Sequence, residues 1–235
     1  MPARDAPATF PRPFTTVDLC IFTVRDDALQ VLLVRRPEDA NEPFPGRWAL
    51  PGGYVDTEQD VDLLACARRK LAEKTGVASP YLEQLGSWGS ATRDPRGWSA
   101  THAWFALLPS EGLQLRRGAN AADVAWKDVG TRRLAFDHDD ILRAAVERLR
   151  SKVEYTSLPA FLLPEPFTLP QLQRTYEVVL GRPVDKSGFR TRMLAADFLA
   201  EAGQVETASH RPPMGYRLKD RRAPVVFPRT FSPRA

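Results

Sequence analysis

Residues 52–77 read Gly52-Gly53-Tyr54-Val55-Asp56-Thr57-Glu58-Gln59-Asp60-Val61-Asp62-Leu63-Leu64-Ala65-Cys66-Ala67-Arg68-Arg69-Lys70-Leu71-Ala72-Glu73-Lys74-Thr75-Gly76-Val77. The glycine pair closes a short strand that begins at Trp48. From about Asp60 to Lys74 the pattern turns helical, with Leu64, Ala67 and Leu71 on one face at i, i+3 and i+7. Gly76 is the expected stop, because glycine takes the left-handed conformation of a helix end without a Cβ clash. Lys70 and Lys74 are four residues apart and therefore share a second face.

Upstream, the β-branched run Thr15–Val24 and the run Leu29–Val34 are joined by the polar turn Arg25-Asp26-Asp27-Ala28, which reads as a hairpin. Downstream, Leu82–Trp88, Ser99–Leu108 and Asp123–Lys127 read as strands, and Asp139–Val153 as a charged amphipathic helix. Strands interrupted by a helix after a Gly-Gly turn predict an α/β or α+β sheet domain. Leu158–Pro166 holds three prolines and reads as a linker. Thr168 and Gln171 form a capping-box pattern for a helix with the stripe Leu169, Leu172, Tyr176 and Val179, stopped at Gly181. Asp185 caps a second helix expected to run to about Ala202, with Phe189, Met193 and Ala196 inward and Gly203 as its stop. Gln204–Ala208 and Gly215–Lys219 then pair around His210-Arg211-Pro212-Pro213. Helix, turn, helix and hairpin make a winged helix-turn-helix. The expected divisions are an N-terminal arm (1–14), a sheet domain (15–153), a winged helix (154–220) and a C-terminal segment (221–235) that reads as a basic tail or as an added edge segment.

Composition agrees with a folded protein: 235 residues, 43% hydrophobic and 26% charged. That excludes a largely disordered, collagen-like or coiled-coil chain. No apolar run approaches the ~20 residues of a membrane span. No apolar stretch follows Met1-Pro2-Ala3-Arg4-Asp5, and Cys20 and Cys66 lie within apolar patterns, so a reduced, cytoplasmic protein is expected, with no membrane partner. Charge is uneven. Residues 1–150 carry 20 Lys+Arg against 21 Asp+Glu, and residues 151–235 carry 13 against 8. The basic second part suits a polyanionic partner such as nucleic acid, or is a solvated surface with extra arginine.

The stretch from Gly52-Gly53 to Arg69-Lys70-Leu71-Ala72-Glu73-Lys74-Thr75-Gly76-Val77, with its approach Gly46-Arg47-Trp48-Ala49-Leu50-Pro51, resembles the Nudix box, G-x5-E-x7-R-E-U-x-E-E-x-G-U, where U is bulky and apolar. In that family the box is a loop and helix whose glutamates hold divalent metal against a diphosphate, since hard cations take carboxylate oxygen. The match is degenerate. Arg69, Leu71, Glu73 and Val77 fit, but Lys70 and Lys74 replace two acids. Gly53 stands farther from Arg69 than the pattern has it, and the early glutamate position falls on Val61, with Glu58, Asp60 and Asp62 as neighbouring substitutes. Two ammonium groups on the metal face repel Mg2+, so the resemblance implies a sensor without catalytic residues or metal. Lys70 and Lys74 either replace the cation and hold a diphosphate directly, or are ordinary solvent-facing lysines.

Tyr81-Leu82-Glu83-Gln84-Leu85, Arg93-Asp94-Pro95-Arg96-Gly97 and Leu134-Ala135-Phe136-Asp137-His138 look like Nudix proteins that recognise ADP-ribose. Residues 155–218 resemble the winged helix of the Nudix-related transcriptional regulators of NAD metabolism, the NrtR type, through Phe167-Thr168-Leu169, Tyr176-Glu177, Leu180-Gly181, Asp185-Lys186 and Phe189-Arg190. The resemblance implies a Nudix-like α/β/α sandwich with a C-terminal winged helix. It also implies a homodimeric repressor that binds double-stranded DNA and senses ADP-ribose or a related nucleotide, with no required cofactor. Two alternatives share these residues: an active nucleoside-diphosphate hydrolase, which would need Mg2+, and a regulator for another ligand.

Candidate ligand residues follow. Arg93 and Arg96 flank a proline turn and suit a diphosphate as paired guanidiniums, or form a surface turn around Asp94. Arg35 and Arg36 follow a strand and point to opposite faces, with Arg36 assigned to the site. Gly52 and Gly53 allow close backbone approach to phosphate. Lys70, Lys74, Phe136 and His138 complete the set, His138 being equally readable as structural. For DNA, Lys186, Ser187, Arg190 and Arg192 lie near the start of the second helix, the end that enters the major groove. His210 and Arg211 form the tip of the wing. Arg4 and Arg12 either touch phosphate or belong to an unstructured arm.

Overall fold

The computed structural model describes residues 12–77, 81–111, 113, 115–116, 121–206 and 212–231. The sheet is built on β1 (Phe14–Arg25), which pairs antiparallel with β2 (Ala28–Arg35) and with the short β4 (Gly52–Tyr54). On its other side β1 runs parallel to β6 (Ser99–Leu107), and β5 (Tyr81–Ser90) is antiparallel to β6. β3 (Trp48–Ala49) and β7 (Asp123–Asp128) both join β2. The alternation of β1 explains its unbroken apolar run, because each face meets a helix. Val17, Leu19 and Ile21 pack with Cys66, Ala67 and Leu71 of α1 (Leu63–Thr75). Cys20 and Phe22 pack with Ile141, Leu142, Ala145 and Leu149 of α2 (His138–Val153). The expected α/β/α sandwich is therefore present.

α1 starts later than the periodicity suggests. Asp62 caps it by accepting the Ala65 N–H at 2.7 Å, and Gly76 ends it with φ 73° while its N–H bonds the Ala72 carbonyl at 2.9 Å. In the second domain, α3 (Leu169–Leu180) carries the expected capping box between Thr168 and Gln171, and all four stripe residues are buried.

Two expectations are corrected here. Leu158–Pro166 connects the two parts, but its first half is not an open linker. Leu158–Leu162 is a 3₁₀ helix with every residue buried, and one apolar cluster runs from α2 through Phe161 to Leu172, Tyr176 and Phe189. The prolines drew attention away from Leu158, Phe161 and Leu162, whose burial joins the domains. Nor does the second helix reach Ala202. α4 (Lys186–Ala195) stops where Asp197 adopts φ 53°, and Leu199–Gln204 becomes β9, paired with β10 (Met214–Leu218). Aspartate tolerates this turn better than most residues. Buried Phe198 and the β10 ladder then override the helical preference of Leu199-Ala200-Glu201-Ala202. β8 (Phe167–Thr168) completes the small sheet on β10. Among the described residues no helix is long and apolar enough to cross a membrane.

Candidate functional site

A cleft of about 740 Å³ opens beside β4, α1 and the start of α2. That size suits a nucleotide-sized ligand, within the usual ~300–1,000 Å³. Arg36, Gly52, Gly53, Lys70, Lys74, Arg93, Arg96, Phe136 and His138 all line it. The sequence thus brings its nine candidate ligand residues to one place, yet their roles divide.

The box helix supplies the cationic wall. Arg69 forks onto Asp60 at 2.5 and 2.8 Å and also reaches Glu73 at 2.9 Å. This hydrogen-bonded pairing holds the Asp60 carboxyl far below the ordinary carboxylate range. Val61, the position of the early glutamate, is 91% exposed, and Asp62 is spent as the cap. Glu73 also lies 3.5 Å from Lys70. Lys70 lies along Gly53, where a Cβ would stand 3.2 Å from its Nζ, and the φ of Gly53 is 151°. Lys74 is buried, and desolvation pulls its ammonium below the ordinary lysine value, helped by Lys70 and opposed by Glu73. Among the described residues no group of three or more His, Cys, Asp or Glu could hold a metal ion. Asp56 and Glu58 also line the cleft, but on the helix face itself two ammoniums and one shared carboxylate do not fit the Mg2+ that Nudix chemistry uses.

The two loop arginines do not act as a pair. Arg93 is buried and forks onto Asp137 at 2.8 and 2.9 Å, with Asp18 at 3.6 Å and Ser99 Oγ at 3.3 Å. Burial works against its charge, but these carboxylates raise its pKa on balance. It anchors the start of α2 rather than presenting a free guanidinium to the cleft. Arg96 is held by Asp94 at 2.7 Å and lies over Tyr54 at the mouth, with a side chain 39% exposed. Arg36 donates to Glu42 at 2.6 Å and lies 5.1 Å from the Phe136 ring centre. Phe136, at φ 56°, also meets Phe44 and His138.

His138 is positioned as a structural link. Its Nδ1 accepts the Leu50 N–H at 2.9 Å, which leaves Nε2 to carry the proton of the neutral ring toward Asp18 Oδ2 at 3.5 Å. Burial alone would raise the pKa of Asp18, but His138, Thr101 and Arg93 bring it below the ordinary value. Gly52 serves the sheet. A Cβ there would stand 2.2 Å from Asp18 Oδ1 and 2.4 Å from the Val17 carbonyl. Asp18 and Asp137 are the residues that sequence reasoning left without a role, and Asp60, weighed as a substitute for the box glutamate, is instead the partner of Arg69. Asp18 carried a usable signal, since a lone acid inside Thr15–Val24 is a charge placed in a buried strand.

The second candidate surface is α4. Lys186, Ser187 and Arg190 are exposed, together with Thr191 and Leu194 on the same side. Arg192 is not on that side. Its guanidinium lies 4.1 Å from the Phe231 ring centre, and its Nη2 donates to the Thr230 carbonyl at 3.0 Å. His210 and Arg211 lie outside the described residues, as does Arg4, while Arg12 is exposed just ahead of β1.

A sheet flanked by the box helix and joined to a winged helix defines a Nudix-domain protein with a DNA-binding module. The NUDIX domain model matches residues 15–148, and the NrtR DNA-binding winged helix domain model matches residues 159–218. The chain is 45% identical over 222 residues to the ADPR responsive transcriptional repressor NtrR of Acinetobacter baylyi, covering 94% of this chain and 88% of that protein. The crystal structure of Shewanella oneidensis NrtR complexed with a 27mer DNA superposes with TM-score 0.84 at 42% identity, over 93% of this chain and 99% of that one. The NUDIX domain of the same Shewanella protein, in its cocrystal structure with ADP ribose, matches 61% of this chain and 93% of its own with TM-score 0.55 at 43% identity. This chain belongs to the Nudix-related NrtR family of transcriptional regulators.

Proposed function

We propose that this protein is a homodimeric, cytoplasmic repressor whose Nudix cleft senses ADP-ribose without hydrolysing it. The observation that carries this reading is the wall of the box helix, where Lys70 and Lys74 stand on the metal face and Glu73 is engaged by Arg69. Two ammoniums supply the positive charge that a diphosphate needs, and the helix face they occupy lacks the carboxylates that would bind Mg2+ there. Arg96 and Arg36 extend the cationic lining, and Phe136 with Phe44 provides an apolar surface. The exposed face of α4 reads the major groove through Lys186, Ser187 and Arg190, and two copies read a two-fold symmetric operator. The named relatives, a repressor responsive to ADPR and structures with DNA and with ADP ribose, support the same reading.

The test is a titration of a specific duplex by the full chain in EDTA, with and without ADP-ribose. Salt-sensitive binding weakened by ADP-ribose supports the proposal, and Lys70→Glu with Lys74→Glu should abolish that response while preserving DNA binding. Binding of ADP-ribose only in the presence of Mg2+, with release of AMP, would establish the hydrolase instead.

A further inference from the structure

The segment after the wing is not a loose basic tail. Residues 225–231 return across the junction of the two domains and pair with the chain leaving α2. Val225 exchanges bonds with Ser157, Thr156 and Val226 form an antiparallel bridge, and the Phe227 and Phe231 N–H groups donate to the Tyr155 and Glu154 carbonyls at 2.7 and 2.9 Å. Phe227 is buried. The Phe231 ring lies 5.1 Å from Tyr176 and 5.9 Å from Phe189, so it packs on α3 and α4 together.

Two arginines complete the connection. Arg182, in the turn between α3 and α4, donates to both Glu154 carboxylate oxygens and to the Phe231 carbonyl. Arg192, on α4, stacks over Phe231 and donates to the Thr230 carbonyl. Its other terminal nitrogen, Nη1, is buried without a hydrogen-bond partner among the described residues. An arginine turned inward at the cost of an unmatched N–H is held by its surroundings, not displayed for an external anion. The end of α2, the turn and α4 thus meet on one residue, Phe231.

We propose that this C-terminal strap sets the placement of α4 relative to the Nudix domain, and that Arg192 and Phe231 are positioning residues for DNA recognition that do not touch DNA. The inference rests on the reading of α4 as the recognition helix. It predicts that a change far from the DNA lowers affinity without changing the number of phosphate contacts.

The experiment uses full-length protein and a duplex that the wild-type chain selects from a random-sequence pool. Failure to select any duplex would sink the DNA-binding reading itself, which is a different result from failure of the strap. Phe231→Ala and Arg192→Met should each weaken specific binding tenfold or more, with an unchanged slope of log affinity against log salt and an unchanged affinity for ADP-ribose. Phe231→Tyr should restore binding. Arg190→Ala, in contrast, should flatten the slope by about one if Arg190 meets a phosphate. Arg192→Met keeps the bulk of the side chain, so it remains informative if Phe231→Ala melts early. The proposal is overturned if Arg192→Met flattens the slope while Phe231→Ala binds as wild type, if both variants bind as wild type, or if ADP-ribose affinity falls in parallel with DNA affinity.

Discussion

Arg93 is where the geometry departs most sharply from a ligand-contact role, and replacing it separates the two roles. Its side chain is 5% exposed, against 9% for Asp18 and 21% for Asp137. Arg93→Met keeps much of the stem but removes the guanidinium, leaving Asp137 without its fork and Asp18 without the cation 3.6 Å away. Breaking a buried pair from one side costs about 3–5 kcal/mol, because the remaining charge stays desolvated. Partial exposure of Asp137 places the expectation at the lower end, about 3 kcal/mol. For a chain of this size that corresponds to a fall of roughly 6–12 °C in the unfolding midpoint. Arg96→Ala is the control. The Arg96 side chain is 39% exposed but Asp94 only 5%; Asp94 keeps the backbone N–H of residue 96 at 3.0 Å, so the loss should cost less than that of Arg93, about 1–2 kcal/mol. Urea and thermal unfolding of both variants decide the matter. If Arg93→Met unfolds within about 1 kcal/mol of wild type yet loses ADP-ribose, Arg93 is a ligand contact and the anchoring argument is wrong.

Three further outcomes follow from the same geometry. Asp60→Asn should destabilise the box helix at neutral pH and less so in acid. The folded pKa of Asp60 lies well below its ordinary 3.8, so its contribution is whole above that value and is lost as the pH falls through the folded pKa. Unfolding of both proteins between about pH 6 and pH 2 checks whether their difference narrows. Gly53→Ala should weaken ADP-ribose binding, since the new Cβ meets Lys70 Nζ at 3.2 Å in a conformation that L-residues avoid, and calorimetric titration measures the loss. Arg190→Ala should lower specific DNA affinity by about 1–3 kcal/mol if it reads a base edge, and binding to operators substituted one base pair at a time should show relaxed preference at that pair.

Strand and helix positions in the Nudix part were legible because each carries its own periodicity. Thr15–Val24 alternates between two helices, and Leu64, Ala67 and Leu71 repeat on one helix face. The capping box at Thr168 and Gln171 is equally local. What escaped was set by distant partners. Asp197 turns the chain because Leu199–Gln204 finds β10, and no local signal in an alanine-rich stretch announces that pairing. The same holds in the cleft. The residues gathered there were identifiable by type, but Arg93 and Arg96 look alike in sequence. Asp137, 44 positions away, makes one an anchor, while Asp94 keeps the other at the mouth. Arg192 likewise belongs to Phe231, which lies in a segment whose arginines and prolines left a tail and an added edge segment equally open.

The arrangement also bears on how a sensor communicates. On the proposed function, a ligand in the cleft changes DNA affinity only by the difference in its own affinity for two arrangements of the protein. α2 is the element placed to distinguish them. Its start is held at the cleft by Asp137 on Arg93 and by His138 between Leu50 and Asp18. Its far end is held to the second domain by Arg150, which donates to the Val179 carbonyl at 3.0 Å, and by Glu154 on Arg182. The buried 3₁₀ turn leaves little slack between these points. A shift of the α2 start that favours the diphosphate must therefore be accommodated at α3 and α4. A typical coupling of about 1–3 kcal/mol would alter operator affinity roughly 5–150-fold. Hydrolysis would work against such a device, because it would remove the effector whose concentration the coupling reports. On the proposed function, lysine at positions 70 and 74 would hold the diphosphate while leaving it intact.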